Sequence, residues 1–275
     1  EVSPVATDPM NVSSRHEMSF DAAARKLTIS RMDFAASQGS REAVRGTLDK
    51  PMIMDFSSVN EQSGETPPVA LTFRVTDLDL APLLLPLPLP DGTRLEHGRA
   101  NADVRLLVEG NGRKISLAWD KRLAGLSGRI NNQALPGTDI FTSGALDIAD
   151  FQIIHLAEST IVMKQNTHEC KAVFRADADI KAGTAEFILD DMTADPLIVN
   201  PFLPSDMLSF ESGTIRGKAK IAASGQFEKF IISATGGVDG LKGRAAEARI
   251  PNVGVSAVLD VEAAKTGSIT ITKMS

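Results

Sequence analysis

Most of the stretch from Phe73 to Arg129 occurs twice in this chain, and such self-similarity constrains the architecture before any local pattern is read. Gly125-Leu126-Ser127-Gly128-Arg129 returns as Gly240-Leu241-Lys242-Gly243-Arg244, an offset of 115 (240 − 125). The same offset pairs Glu96 with Glu211, Gly98 with Gly213, Gly110 with Gly225 and Lys114 with Lys229. These make eight ungapped identities between positions 95 and 129, where unrelated sequence of ordinary composition gives about two. Upstream the offset becomes 114 (187 − 73), as one extra residue in the second copy would cause. It pairs Phe73 with Phe187, Asp77 with Asp191, Pro82-Leu83 with Pro196-Leu197, and Leu89-Pro90 with Leu203-Pro204. A weaker marker, Leu27 to Met32, resembles both Leu146 to Phe151 and Ile269 to Met274. It divides the chain into a lead-in over 1–26, one module over 27–145, a second over 146–268, and the first strand of a third over 269–275. Since Glu1 stands where an initiator methionine would, the expectation is an excerpt from a longer protein.

Within each copy the dominant period is two. Val69, Leu71, Phe73 and Val75 alternate with Ala70, Thr72, Arg74 and Thr76, and Val104, Leu106 and Val108 follow the same rule. The turn Glu109-Gly110-Asn111-Gly112 leads into Ile115, Leu117 and Trp119. Copy two repeats this with Ala219, Ile221 and Ala223, a turn at Ser224-Gly225-Gln226, then Phe230, Ile232 and Ala234. A last alternating run spans Val253 to Val261. Strict alternation marks half-buried strands with one apolar and one wet face, and glycine turns at this spacing mark hairpins. Helical signals are short. Asp21 to Arg25 reads as a turn, and Leu78 to Leu85 and Asp195 to Leu203 as one or two helical turns opened by Pro82 and Pro196. Asn60 to Pro68 reads as a loop. The expected fold is all-β: an elongated, curved antiparallel sheet of about two repeats, each interrupted once by a short proline-marked helix.

Composition narrows function. The net charge is −6, and no run of four basic residues exists, so nucleic acid and polybasic membrane attachment are disfavoured. Tyr is absent and Trp119 is the only tryptophan, which removes the aromatic platforms that sugars and bases stack on. Cys170 is alone, so no internal disulfide forms. The most apolar segment, Leu80 to Pro90, carries four prolines in 11 residues, against about 20 apolar residues for a spanning helix.

Catalytic signatures are missing. Gly110-Asn111-Gly112 lacks the third glycine of a dinucleotide loop, and no Gly-Lys-Ser/Thr phosphate loop or His-Glu-x-x-His pair is present. Gly125-Leu126-Ser127-Gly128 has its second glycine too close for a nucleophile elbow, and copy two replaces the serine with Lys242. The repeated Gly-Leu-x-Gly-Arg reads instead as a tight bend with a solvated arginine. Thr167-His168-Glu169-Cys170 is the one dense group of potential ligands, too few for a metal without help from His16, His97 or His155. It reads as a loop or strand end with a semi-buried sulfur. The acids Asp77/Asp79 and Asp190/Asp191 resemble an acid–base pair, but Asp77 and Asp191 share a repeat position before a helical turn, which predicts N-terminal caps. Leu80 to Pro90 has three readings: a plug against the sheet, a lipid-contacting element, or a proline-rich peptide ligand. No cofactor, metal or catalytic residue is expected.

The residues from Val75 through Leu84 (Val-Thr-Asp-Leu-Asp-Leu-Ala-Pro-Leu-Leu), the strand Gly98 to Asp103, the Gly110 turn and the apolar strand after it resemble the AsmA-like family of Gram-negative envelope proteins. Asp191 to Arg244 resembles it more loosely, and the resemblance covers most of 69–148 and 185–262. It implies a taco-like groove lined by apolar side chains and a periplasmic protein anchored to the inner membrane. It also implies carriage of phospholipid acyl chains toward the outer membrane, membrane proteins as partners at the ends, and no catalytic residues.

A curved sheet with one apolar face must cover it with something, and two helical turns are too few. Either the sheet folds into a closed sandwich, serving as a scaffold in envelope or outer-membrane protein assembly, or its concave face holds acyl chains. For the second reading the expected lining is Leu71, Phe73, Val75, Val104, Leu106, Val108, Ile115, Leu117, Phe187, Leu189, Ile221, Phe230 and Ile232.

Overall fold

A computed structural model describes residues 10–56, 68–84, 90–203, 208–246, 248–264 and 269–274. Fifteen strands form one sheet: β1 (Met10–Asp21), β2 (Lys26–Gln38), β3 (Arg41–Leu48), β4 (Met52–Asp55), β5 (Val69–Asp79), β6 (Arg94–Glu109), β7 (Lys114–Ile130), β8 (Gln133–Ala149), β9 (Ile153–Gln165), β10 (His168–Asp179), β11 (Thr184–Ala194), β12 (Leu208–Ser224), β13 (Lys229–Ala245), β14 (Ala248–Ala264) and β15 (Ile269–Met274). The sheet is antiparallel and curved, and it does not close into a barrel. Each strand pairs with its successor, with one exception: β3 pairs directly with β5, and β4 pairs with β2. The accessible surface is 17084 Å². A compact chain of this mass exposes about 11,500 Å², less than this extended sheet does.

Short turns set this meander. Asn131 and Asn132 (φ 50° and 64°) join β7 to β8 as a two-residue hairpin, because Ile130 pairs with Gln133. Two consecutive positive φ values make the turn whose twist suits flanking strands, and asparagine tolerates that region. Between β5 and β6 the helical turn α1 (Ala81–Leu84) forms, with the Asp79 carboxylate accepting from the Ala81 N–H at 3.1 Å. Leu80 and Leu83 pack on Ala43, Leu78 and Ala100, which suits the plug reading for the described part of Leu80 to Pro90; residues 85–89 lie outside the described residues. Between β11 and β12 a 3₁₀ turn spans Pro196–Phe202, its Pro196, Ile198 and Pro201 buried, and Asp195 caps it by accepting from the Leu197 N–H at 3.0 Å. The expected loop over Asn60 to Pro68 lies outside the described residues apart from Pro68.

The copies repeat in three dimensions down to their irregularities. β7 and β13 span equivalent residues, as do β8 and β14, at an offset of 115 (229 − 114 and 248 − 133). Register shifts flank His97 in the β6–β7 ladder and Ser212 in β12–β13, again 115 apart (212 − 97). Another pair flanks Leu126 in β7–β8 and Leu241 in β13–β14. The shift after Val75 recurs after Leu189, 114 residues on (189 − 75), the offset that the identities keep as far as Pro90 and Pro204, so the bulge holds its place in both copies. The weak boundary marker behaves differently. Leu27 lies in β2 and Leu146 in β8, six strands apart, whereas Ile269 opens β15, seven strands beyond β8.

Two expectations are corrected. Gly-Leu-x-Gly-Arg is no turn between strands; it lies inside β7 and inside β13, at the double bulges just described. Gly125 and Gly240 hold φ of 60° and 63° there. Gly128 and Gly243 allow close strand approach, since a Cβ on them would lie 2.1 Å from the carbonyl oxygens of Arg94 and Ser209. Asp77 and Asp191 are not caps either. Asp77 sits at a bulge with φ 49° and binds Arg41 and Arg99, while Asp191 is an exposed strand residue opposite Val173. The caps are Asp79 and Asp195.

These features yield two predictions. Gly240→Ala should cost about 1 kcal/mol for its left-handed backbone, whereas Gly243→Ala should cost on the order of 3 kcal/mol because β12 and β13 must separate; urea melts of the two variants give the comparison. In small-angle scattering the radius of gyration should exceed the 18–19 Å or so of a compact chain of this length.

Candidate functional site

Register converts the alternating patterns into continuous rows. Directly opposed residues share a sheet face, so the pairing can be followed from strand to strand. One row runs Leu48, Leu71, Leu106, Leu117, Leu146 and Leu156, then Ala176, Phe187, Ile221, Ile232, Val261 and Ile271. It crosses β3 and β5 to β15 without one polar side chain. A second row, one pleat away, runs Val69, Val108, Ile115, Ile148 and Ile154, then Ala178, Ala185, Ala223, Phe230 and Ala263. At the usual spacing between strands the first row is about 50 Å long.

All thirteen residues read from the sequence lie on this face. Leu71, Leu106, Leu117, Phe187, Ile221 and Ile232 belong to the first row, and Val108, Ile115 and Phe230 to the second. Phe73 and Val104 oppose each other one pleat beyond the first row, with Val75 next on β5, and Leu189 holds the matching place on β11 opposite Ala219. The thirteen omit the members contributed by β3, β8, β9, β10, β14 and β15. Trp119 was also missed as lining; it opposes Val104 and Gly144, and a Cβ on Gly144 would lie 2.5 Å from its ring. Leu146 and Ile148 carried an alternating signal already, within the boundary marker.

Openness differs along the rows. Val69, Leu71 and Val108 are buried, whereas Phe187, Ile221 and Phe230 are 37%, 40% and 36% exposed. Around these three the face forms a hollow of about 280 Å³ floored by Ala176, Ala178, Ala185 and Ala223 and walled by Ile154, Phe187, Ile221, Phe227 and Phe230. Small side chains make the floor and large ones the walls, so the recess follows from the sequence of β10 to β13. Phe174 lies beside Phe187 with ring centroids 6.1 Å apart. A larger depression of about 500 Å³ lies over Gly217, Gly236 and Gly237, next to the Arg216–Asp239 ion pair at 3.3 Å. Its lining mixes charge with glycine, and Val255 is the one large apolar side chain in it.

The opposite face carries the charge. His155 meets Asp177 at 2.5 Å, Arg74 meets Asp103 at 2.7 Å, and Arg175 meets Asp190 at 2.9 Å; Ser116 bonds Asp147, and Lys220 pairs with Glu186. Exposed pairs like these contribute little stability each, but they keep that face wet.

Among the described residues reactive groups do not converge. Partial desolvation raises the Asp77 carboxyl, and the hydrogen bonds and charges of Arg99 and Arg41 outweigh it, so its pKa falls below the usual carboxylate range. That suits a permanent anion and not a proton donor. Burial, helped by the Glu169 charge, pushes the Cys170 thiol up and disfavours the thiolate. His168 binds Asp195 at 2.6 Å, holding the cap of the 3₁₀ turn. Among the described residues no group of three or more His, Cys, Asp and Glu side chains is placed to hold a metal, and no helix is long and apolar enough to cross a membrane. No family model matches the chain, and no curated protein or solved structure is significantly similar to it.

An exposed apolar hollow on a folded protein binds apolar dyes. Native protein should therefore enhance anilinonaphthalene sulfonate fluorescence, and a Phe187→Ser/Phe230→Ser double variant should lose most of that enhancement while keeping its β-sheet circular dichroism.

Proposed function

We propose that this protein carries lipid along the apolar face, holding acyl chains across the strands without catalysing a reaction. The observation that supports this reading is the pair of unbroken apolar rows, one spanning twelve strands, on a face no second sheet covers among the described residues. Every methylene withdrawn from water contributes roughly 0.8 kcal/mol. An acyl chain leaves a bilayer only for a surface that replaces most of those contacts, and a row with no polar break provides it at every step. The charged opposite face keeps the carrier dissolved. Together with the resemblance to AsmA-like proteins, the reading extends to phospholipid as cargo and to the periplasm as the compartment. It extends further to an inner-membrane anchor in the full-length protein and to membrane proteins as donor and acceptor at the two ends.

Ile221 tests the reading. It lies on the first row and is 40% exposed, so a carboxylate there stays solvated. Ile221→Asp should lower the stability of delipidated protein by only about 1 kcal/mol, against several kcal/mol in a closed core. Phospholipid co-purifying with the protein, measured by native mass spectrometry, should fall sharply. Unfolding of the variant together with absence of lipid on the parent favours a scaffold role instead.

A further inference from the structure

The two apolar rows start covered and end open, and the cover belongs to the chain itself. In the second copy β10 stands in the sheet between β9 and β11. Six strands earlier, β4 is left out: β3 pairs with β5, and β4 pairs with β2 alone among the described residues, from Met52 opposite Ile29 to Asp55 opposite Lys26. Displaced in this way, β4 reaches over the rim of the face. Met52, 2% exposed, packs with Val69 and Val108, the first two members of the second row. Met54 lies against the β6–β7 turn, where a Cβ on Gly112 would meet its backbone and side chain at 3.3 Å. Both methionines oppose apolar residues of β2, Ile29 and Leu27. Methionine is suited to the task, since its unbranched, polarisable chain fills an irregular apolar gap without demanding one geometry. Val69 and Val108 are consequently 5% and 3% exposed, while Phe187 and Phe230 farther along the face are 37% and 36% exposed.

We propose that β4 is a built-in stopper. Its methionines occupy the beginning of the track at Val69 and Val108, and a bound alkyl chain is confined to the part beyond β6. The placement of the alkyl chain rests on the lipid reading above; the occlusion by β4 does not.

Thiol accessibility tests the occlusion without any lipid. In a Cys170→Ser background, Val108→Cys should react with a maleimide at least an order of magnitude more slowly than Phe187→Cys, since it must wait for local opening. Adding Met52→Ala should accelerate Val108→Cys and leave Phe187→Cys unchanged, and Met52→Leu, which preserves volume, should leave both unchanged. If Met52→Ala unfolds the chain, as a matching jump at Phe187→Cys would report, Met54→Ala gives the milder comparison. Rapid reaction of Val108→Cys beside an intact Met52, or indifference to both alanine variants, overturns the stopper. A photoreactive fatty acid then addresses the ligand. Labels should fall on peptides of β7 to β15 in the parent and spread to β5 and β6 with Met52→Ala. Labels on β5 and β6 of the parent overturn the stopper but not carriage. No label anywhere overturns carriage, and the thiol rates alone then decide the stopper.

Discussion

Antiparallel pairing of each strand with its successor is the interaction on which everything else in this molecule depends. A period-two pattern in one strand specifies only that strand's two faces. The backbone ladder aligns those faces, and once aligned they form rows that run perpendicular to the chain. Leu117 meets Leu146, Leu146 meets Leu156, and the row continues because no shift separates consecutive members at that level of the sheet. From β3 to β15 the bulges all lie on one side of the first row, some at its edge beside Leu146, Ala176 and Val261 and others farther out around Leu126, Leu241, His97 and Ser212, leaving the apolar rows in register.

Stability in such a sheet comes mainly from the ladder and from side chains packing along a row. Among the described residues the single layer has no opposing sheet to close a core. Buried apolar residues therefore collect where a covering element exists: Leu78 and Ala100 near α1, Val69 and Val108 near β4, and Ile198 within the 3₁₀ turn itself. Elsewhere the face stays half-buried. The proline-marked turns thus act as local rim covers, one per copy, each started by an aspartate two residues before the helix or one residue before it.

The strands and the composition of the face were legible in the sequence because alternation reports a face whatever the partner strand is. That is why thirteen residues chosen from isolated runs all fall on one side. What alternation does not encode is register, and the readings that failed were readings of register. The capping aspartates Asp79 and Asp195 align at an offset of 116 (195 − 79), so the offset of 114 drew attention to Asp77 and Asp191, which mark bulges instead. Gly-Leu-x-Gly-Arg resembled a turn, yet the strand continues past it to a hairpin made by Asn131 and Asn132. β9 escaped notice because Ile153 and Ile154, then Ile161, Val162 and Met163, are adjacent apolar residues that break the alternation. The expulsion of β4 had no local signature, since Met52-Ile53-Met54 reads like any other strand.

The nearly unbroken succession of neighbours in the sheet bears on how the chain acquires its structure. Every pairing except those made around β4 joins a strand to the one just synthesised before it, so few long loops must close before contacts form. A chain delivered from its amino terminus can add strands one at a time onto the existing edge, as repeat arrays propagate from a folded unit. The growing edge is always the next strand's docking site. The one step that cannot proceed in this fashion is the junction of β3 with β5, which must wait until the residues between them have moved aside.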